Sequence, residues 1–131
     1  MAVAPILADS SFYIQQTRMG RDPFRALAAS AFERDLVICG VIRAEVLRGL
    51  RERALVERFQ LRWNVMLNVP TDERLWQEVA STLWELDRRG TVLPLTDVVI
   101  ACCARRLGAV VLTLDHHFAL IPGIKVISEL E

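Results

Sequence analysis

Four carboxylates lie inside or at the end of apolar stretches that are spread over almost the whole chain: Asp9, Glu45, Asp97 and Asp115. An ionised carboxylate in apolar surroundings is strongly disfavoured unless a cation, a basic partner or several hydrogen-bond donors compensate its charge. If the fold gathers these four side chains, the sequence predicts that something positive lies among them.

Oxygen ligands of this kind suit hard cations, Mg²⁺ or Mn²⁺, far better than zinc, which prefers histidine or cysteine. Such sites are typical of phosphoryl-transfer chemistry, so the implied reaction is metal-assisted hydrolysis of a phosphate ester. Taken singly, each acid is explained more simply as a helix cap or as a buried ion pair with arginine. Only their joint placement favours a functional site.

Short apolar stretches that alternate with helical segments predict the elements that position these acids. We expect strands at 3–8, 36–39, 65–69, 110–114 and 124–127. We expect helices after Asp9, from Asp22-Pro23 through Phe32, at 41–53 and 55–63, from a Thr71 cap to Gly90, and at 96–107. The second helix should bury one face, formed by Phe24, Leu27, Ala28, Ala31 and Phe32.

The predicted strands are continuously apolar, which favours an α/β fold with a parallel sheet that is covered on both faces. In such sheets the ligand site lies beyond the carboxyl ends of the strands. Asp9 and Asp115 directly follow predicted strands, and Asp97 lies in the first turn of a helix. These three acids should therefore reach one edge, and Glu45 can join them because its apolar flanks turn that helix face inward.

The length and composition predict a single domain, residues 1–131, because the chain is 53% hydrophobic and too short for two ordinary domains. Sixteen basic and sixteen acidic residues leave no net charge, so no global basic field indicates a nucleic-acid partner.

The chain has three cysteines, an odd number without the spacing of a zinc site or a C-x-x-C motif: Cys39, Cys102 and Cys103. We expect them to be reduced residues of the core. No signal peptide or membrane span is apparent, so we expect a soluble, cytoplasmic protein.

Three blocks of sequence resemble PIN-domain ribonucleases, and most closely the VapC-type toxins of toxin–antitoxin pairs. The blocks are ILADSSF at 6–12, the segment 38–50 containing AEVLRGL at 44–50, and LPLTDVVIA at 93–101 continuing to Gly108 and then LTLDHHF at 112–118. The ending IPGI at 121–124 also looks like that of the family. The resemblance covers nearly the full length.

This resemblance implies a PIN-like three-layer α/β/α sandwich with a short central parallel sheet. It makes Asp9, Glu45, Asp97 and Asp115 the catalytic, metal-binding acids for Mg²⁺, with Mn²⁺ able to substitute. Ser10 and Thr113 would be hydroxyls that hold these acids or a water. A metal-activated water would attack a structured RNA and leave 5′-phosphate and 3′-hydroxyl ends. The expected partners are a VapB-like antitoxin, whose tail blocks the site, and a second copy of the chain in a homodimer; no membrane is involved.

Two positions depart from the family pattern. Ile42 stands where relatives often have serine or threonine at the start of the second acid's helix, so that helix should be capped differently. His117 stands where a further acid is frequent, and we expect it to be a surface or loop residue rather than a water-held base or a phosphate contact.

Several alternatives remain open. Acids at strand ends also occur in aspartate-nucleophile phosphatases and receiver domains, although Ser11 and the lone Lys125 do not match their patterns. A degenerate PIN domain that only binds a protein or RNA is the non-enzymatic alternative. Six arginines lie close to the Glu45 helix in sequence: Arg43, Arg48, Arg51, Arg53, Arg58 and Arg62. They either contact the phosphates of a bound RNA or form a solvent-exposed face that is paired with Glu52 and Glu57. Trp63, Trp76 and Trp84 are either interface anchors or core residues.

Overall fold

The computed structural model describes residues 3–30 and 33–130. These residues form five strands: β1 Ile6–Ala8, β2 Leu36–Cys39, β3 Leu67–Val69, β4 Val110–Leu112 and β5 Lys125–Ile127. They also form six α-helices: α1 Ser10–Arg18, α2 Pro23–Ser30, α3 Gly40–Leu47, α4 Arg53–Trp63, α5 Glu73–Arg88 and α6 Leu95–Arg106. A 3-10 helix, His116–Leu120, lies between β4 and β5.

The strands form one parallel sheet in the order β3-β2-β1-β4-β5, with β1 at its centre. Ile6 and Leu7 pair with β2 on one side, and on the other side Ala8 pairs with Leu112 of β4. The chain steps outward from β1 to β3 and then crosses back to β4. Right-handed connections therefore place α1 to α4 on one face of the sheet and α5 and α6 on the other. The predicted α/β sandwich is confirmed.

The core joins the sheet to its helices through buried apolar side chains, including all of β1 and β4. An aromatic cluster packs α1, α2 and α4 together, with the ring centroids of Phe24 and Phe59 4.9 Å apart and those of Tyr13 and Trp63 5.5 Å apart. Trp63 is thus a core residue. By contrast, Trp76 is 41% exposed and Trp84 is 61% exposed, so core packing does not account for those two.

Several boundaries differ from the predicted ones. The helix predicted at 41–53 ends at Leu47, where the amide of Gly49 donates to Val46 in a tighter turn before α4 begins. The cap of α5 is Asp72 rather than Thr71, because the Asp72 carboxylate accepts a 2.9 Å hydrogen bond from the Leu75 amide.

The strands at 3–8, 65–69 and 110–114 are each shorter than predicted, and β5 starts one residue later than expected. Ala28, predicted to be buried on α2, is exposed. Ala31 and Phe32, predicted for the same face, lie outside the described residues.

The three cysteines are buried and free, as predicted for reduced core residues. Within residues 3–30 and 33–130, no helix has the length and apolar character that a bilayer crossing requires.

Candidate functional site

Asp9 lies at the carboxyl end of the central strand and caps α1. Because Ala8 pairs with Leu112, the residues that follow them, Asp9 and Thr113, lie side by side. The Thr113 hydroxyl donates to Asp9 Oδ2, and the Ser11 amide donates to Asp9 Oδ1. Asp9 is only 2% exposed, so its carboxylate is both buried and held in one orientation.

The turn after β4 is fixed by two hydroxyl groups. Thr113 Oγ1 accepts from the Asp115 amide at 2.9 Å and lies 3.3 Å from Ser11 Oγ. Ser11 Oγ in turn accepts from the Leu114 amide at 3.0 Å. Thr113 and Ser11, which anchor Asp9 through a hydroxyl and an amide, therefore also set the path of the chain into Asp115.

Asp97, Asp115 and His117 form a close group at this edge. Asp97 lies in the first turn of α6, and Asp115 caps the 3-10 helix by accepting from the His117 amide at 2.9 Å. His117 Nδ1 lies 3.2 Å from Asp97 Oδ2 and 3.2 Å from Asp115 Oδ1. One potential ligand atom from each of the three residues lies within 4.8 Å of the other two.

His117 lies at the surface, as expected, and this geometry adds contacts with the candidate acids. Its side chain is 49% exposed, as a surface residue would be, but its ring contacts two of the candidate acids. The adjacent His116 is exposed and, within the described chain, makes no side-chain hydrogen bond or ion pair.

Burial raises the pKa of Asp9 above its ordinary value, and the charge of Asp115 adds to this; the hydrogen bonds from Thr113 and Ser11 act in the opposite direction. Burial also raises the pKa of Asp97, with the charges of Asp115 and Asp9 adding and His117 opposing. Asp9, Asp97 and Asp115 are therefore close enough to repel one another. Within residues 3–30 and 33–130, no lysine or arginine forms an ion pair with any of these acids or with Glu45.

Glu45 lies at the margin of this group. It is half-buried on α3, and its Oε1 accepts a 3.0 Å hydrogen bond from the hydroxyl of Ser10, the neighbour of Asp9. The helix that carries it begins after Cys39 without a side-chain cap, and Ile42 is fully buried in the core. The structure thus links Glu45 to the site through Ser10 rather than through direct contact with Asp97 or Asp115.

Sequence reasoning gave Ser11 no place in this network, and it expected His117 at the surface without these contacts to Asp97 and Asp115. Ser11 carried a weak signal, since a hydroxyl two residues after a strand-end aspartate is well placed for a local turn. The arginines also differ from the expected pairing, because Arg58 pairs with Asp22 at 2.7 Å and not with Glu52 or Glu57. Their role along an RNA path stays a prediction.

A family model described as PIN domain matches residues 6–124. A search of curated proteins found no match. Among solved structures, DNA-bound VapBC from Salmonella typhimurium is 23% identical, with a TM-score of 0.77 over 95% of this chain and 98% of that one.

Two further solved structures share the fold. VapBC2 from Rickettsia felis, bound to a promoter DNA fragment, is 16% identical, with a TM-score of 0.73 over 93% of this chain and 96% of that one. VapC20 from Mycobacterium tuberculosis, a toxin that cleaves the sarcin–ricin loop, is 15% identical, with a TM-score of 0.67 over 92% and 98%. At these identities the likeness establishes a common fold over nearly the whole of each chain.

Proposed function

The chain belongs to the PIN-domain family, and we propose that it is a divalent-metal-dependent endoribonuclease that acts in the cytoplasm as the toxin of a toxin–antitoxin pair. One observation carries the proposal. Asp9, Asp97 and Asp115 lie together at the carboxyl edge of the sheet, two of them with raised pKa values, and no described lysine or arginine is paired with them. Clustered carboxylates that have no lysine or arginine partner are a donor set that a divalent cation fits.

The four acids would contribute to binding such a cation in different ways. Asp97 and Asp115 would bind it, because their oxygens already converge on one point near His117. Asp9 and Glu45 would complete the acidic set from β1 and α3. We propose Mg²⁺ as the cation, with Mn²⁺ able to substitute, since both accept carboxylate oxygens.

When bound, a divalent cation lowers the pKa of a coordinated water and stabilises the charge that develops on the phosphate oxygens. The chain supplies the fixed frame for this chemistry. Thr113 and Ser11 keep Asp9 in a single orientation, and Ser10 restrains Glu45. A frame that is fixed before substrate binds does not need to reorganise during the reaction, which is where much of the catalytic advantage arises.

The substrate and partners are proposed from the relatives. VapC20 is a sarcin–ricin loop cleaving toxin, which supports structured RNA as the substrate class. The VapBC structures from Salmonella typhimurium and Rickettsia felis support a VapB-like antitoxin, whose tail we place over the acidic edge. For the proposed homodimer, Trp76 and Trp84 offer the exposed aromatic surface that interfaces favour.

The test is to express the chain alone from an inducible promoter and to assay the purified protein, freed of antitoxin, on structured RNA with Mg²⁺ or Mn²⁺. We expect growth arrest and metal-dependent cleavage that leaves 5′-phosphate ends. Asp97→Asn should abolish both. Asp87→Asn, at an exposed acid on α5, should leave both unchanged and is the matched control.

Growth arrest and RNA cleavage by Asp97→Asn at the level of the parent would overturn the proposal. A parent protein that binds Mn²⁺ and antitoxin but cuts no RNA would instead favour the inactive, partner-binding alternative.

A further inference from the structure

His117 places an imidazole nitrogen among acids that would otherwise offer only oxygen ligands. We infer that His117 is a ligand of the cation and that it shifts the preference of the site from Mg²⁺ toward Mn²⁺. This inference rests on the proposed function, because it assumes that the acidic edge binds a divalent cation.

The positions of the three side chains support a shared ligand set. His117 Nδ1 lies 3.2 Å from one oxygen of Asp97 and 3.2 Å from one oxygen of Asp115. Two ligands at right angles around an ion about 2.1 Å away are separated by about 3 Å. Both separations from His117 match those of neighbouring ligands on one ion, and without an ion the contact with Asp97 is a hydrogen bond.

The backbone places the ring beside the acids. The His117 amide donates to Asp115 Oδ1, so one carboxylate oxygen both caps the 3-10 helix and lies beside the ring. Phe118, the next residue, is fully buried and anchors this short helix in the core. The nitrogen is thus presented to the acids by a constrained turn and not by a free surface side chain.

A nitrogen ligand changes which cation binds best. Mg²⁺ binds oxygen and gives up its waters reluctantly, whereas imidazole suits first-row transition ions, whose affinity for nitrogen rises along the series from Mn²⁺. A site made only of Asp9, Glu45, Asp97 and Asp115 would lack this bias. His117 provides it through the nitrogen that lies between Asp97 and Asp115.

The experiment uses the full chain, uniformly labelled with ¹⁵N-histidine, and Mn²⁺ as the spectroscopic probe. Pulsed electron paramagnetic resonance should detect a directly coordinated histidine nitrogen on the bound Mn²⁺ in the parent. His116→Asn should keep this coupling, because His116 makes no side-chain contact with the acids in the described chain. His117→Asp should lose the coupling while still offering an oxygen ligand.

Calorimetric titration of the same proteins with Mn²⁺ and Mg²⁺ measures the preference directly. We expect the ratio of Mn²⁺ to Mg²⁺ affinity to fall about tenfold in His117→Asp, as is typical when a metal-supporting residue changes. His117→Gln, whose side chain is neutral, is the second variant in this titration. Circular dichroism checks that each variant is folded.

The outcomes separate the inference from the proposed function. Tight Mn²⁺ binding without nitrogen coupling, or coupling that persists in His117→Asp, overturns the role of His117 and leaves the acidic site standing. No Mn²⁺ binding by the folded parent overturns both the inference and the metal-dependent nuclease.

Discussion

Asp9 and Asp72 have nearly the same backbone geometry, but the pKa values of their carboxyl groups are shifted in opposite directions. Each is the N-cap of a helix, with φ and ψ of −80° and 174° at Asp9 and −78° and 176° at Asp72. Each carboxylate accepts a hydrogen bond from a backbone amide of the first turn. The pKa of Asp9 is nevertheless raised, and the pKa of Asp72 is lowered.

The surroundings explain this difference. Asp72 is exposed, and the hydrogen-bonded guanidinium of Arg106, 3.0 Å away, is the main cause of its lowered pKa. Asp9 is buried, with only hydroxyl and amide donors around it and the charge of Asp115 nearby. Capping and an ion pair with Arg106 therefore account for Asp72, whereas capping accounts for Asp9 only in part. What distinguishes a candidate site from a helix cap is the missing positive partner.

The strongest test of this contrast replaces each of the two aspartates by asparagine. Asparagine caps helices about as well as aspartate, so both variants keep their helix starts. We expect Asp9→Asn to lower RNA cleavage by at least about a hundredfold, the loss typical of removing one charge-stabilising group from an active site. Asp72→Asn should cleave RNA like the parent in the same assay.

Loss of cleavage in both variants would mean that the caps matter only for folding. Their thermal unfolding curves, recorded alongside, separate that outcome from a specific loss at Asp9.

Without metal, the substitutions of Asp9 and Asp72 should also change the stability of the fold, by a smaller effect and in opposite directions. Because the folded state holds the Asp9 proton above the ordinary pKa of 3.8, this group costs stability as pH rises through 3.8 toward its folded pKa. The effect of Asp72 is the opposite. Because its pKa is lowered in the folded state, this group adds stability at pH values above its ordinary pKa of 3.8, and the added stability is lost as the pH falls through the folded-state pKa.

Thermal unfolding in chelator at neutral pH should therefore give Asp9→Asn a melting temperature above that of the parent. Asp72→Asn should melt below the parent. Equal shifts in the same direction would contradict the electrostatic difference between the two caps.

The smallest expected effect concerns the link from α1 to α3. Ser10→Ala removes the hydroxyl that holds Glu45, and we expect cleavage to fall about tenfold, as for other residues that orient a metal-binding group. In a Glu45→Gln background the same change should cost little more, because the two residues act as a pair. Ser81→Ala, at an exposed serine on α5, is the control. Equal losses in both backgrounds would show that Ser10 acts independently of Glu45.

Sequence periodicity predicted most of the fold, because the strands are short, apolar and separated by helical segments of ordinary length. Leu36 to Cys39 was predicted to the residue. Helix ends were less predictable: the helix predicted at 41–53 runs past Gly49, although glycine is common just after a helix end, and Thr71 and Asp72 are both good caps.

The candidate acids were predictable because each interrupts an apolar run next to a strand or helix end. Their roles as ligands stay predictions. The contacts of His117 with the acids were not predictable for a physical reason: they depend on the Asp115 cap and on the buried Phe118, and these contacts exist only once the 3-10 helix has formed. Ser11 depends in the same way on Thr113, a residue at the opposite end of the sequence.

The pairing of Asp9 with Thr113 has a consequence for synthesis. The two residues are 104 positions apart in the chain, and Asp97, Asp115 and His117 also belong to its last third. While the ribosome is still making α5, Asp9 has neither the hydroxyl that orients it nor the acids beside it. The proposed activity would thus be absent from the growing chain and would appear only once β4 and the turn after it have been made.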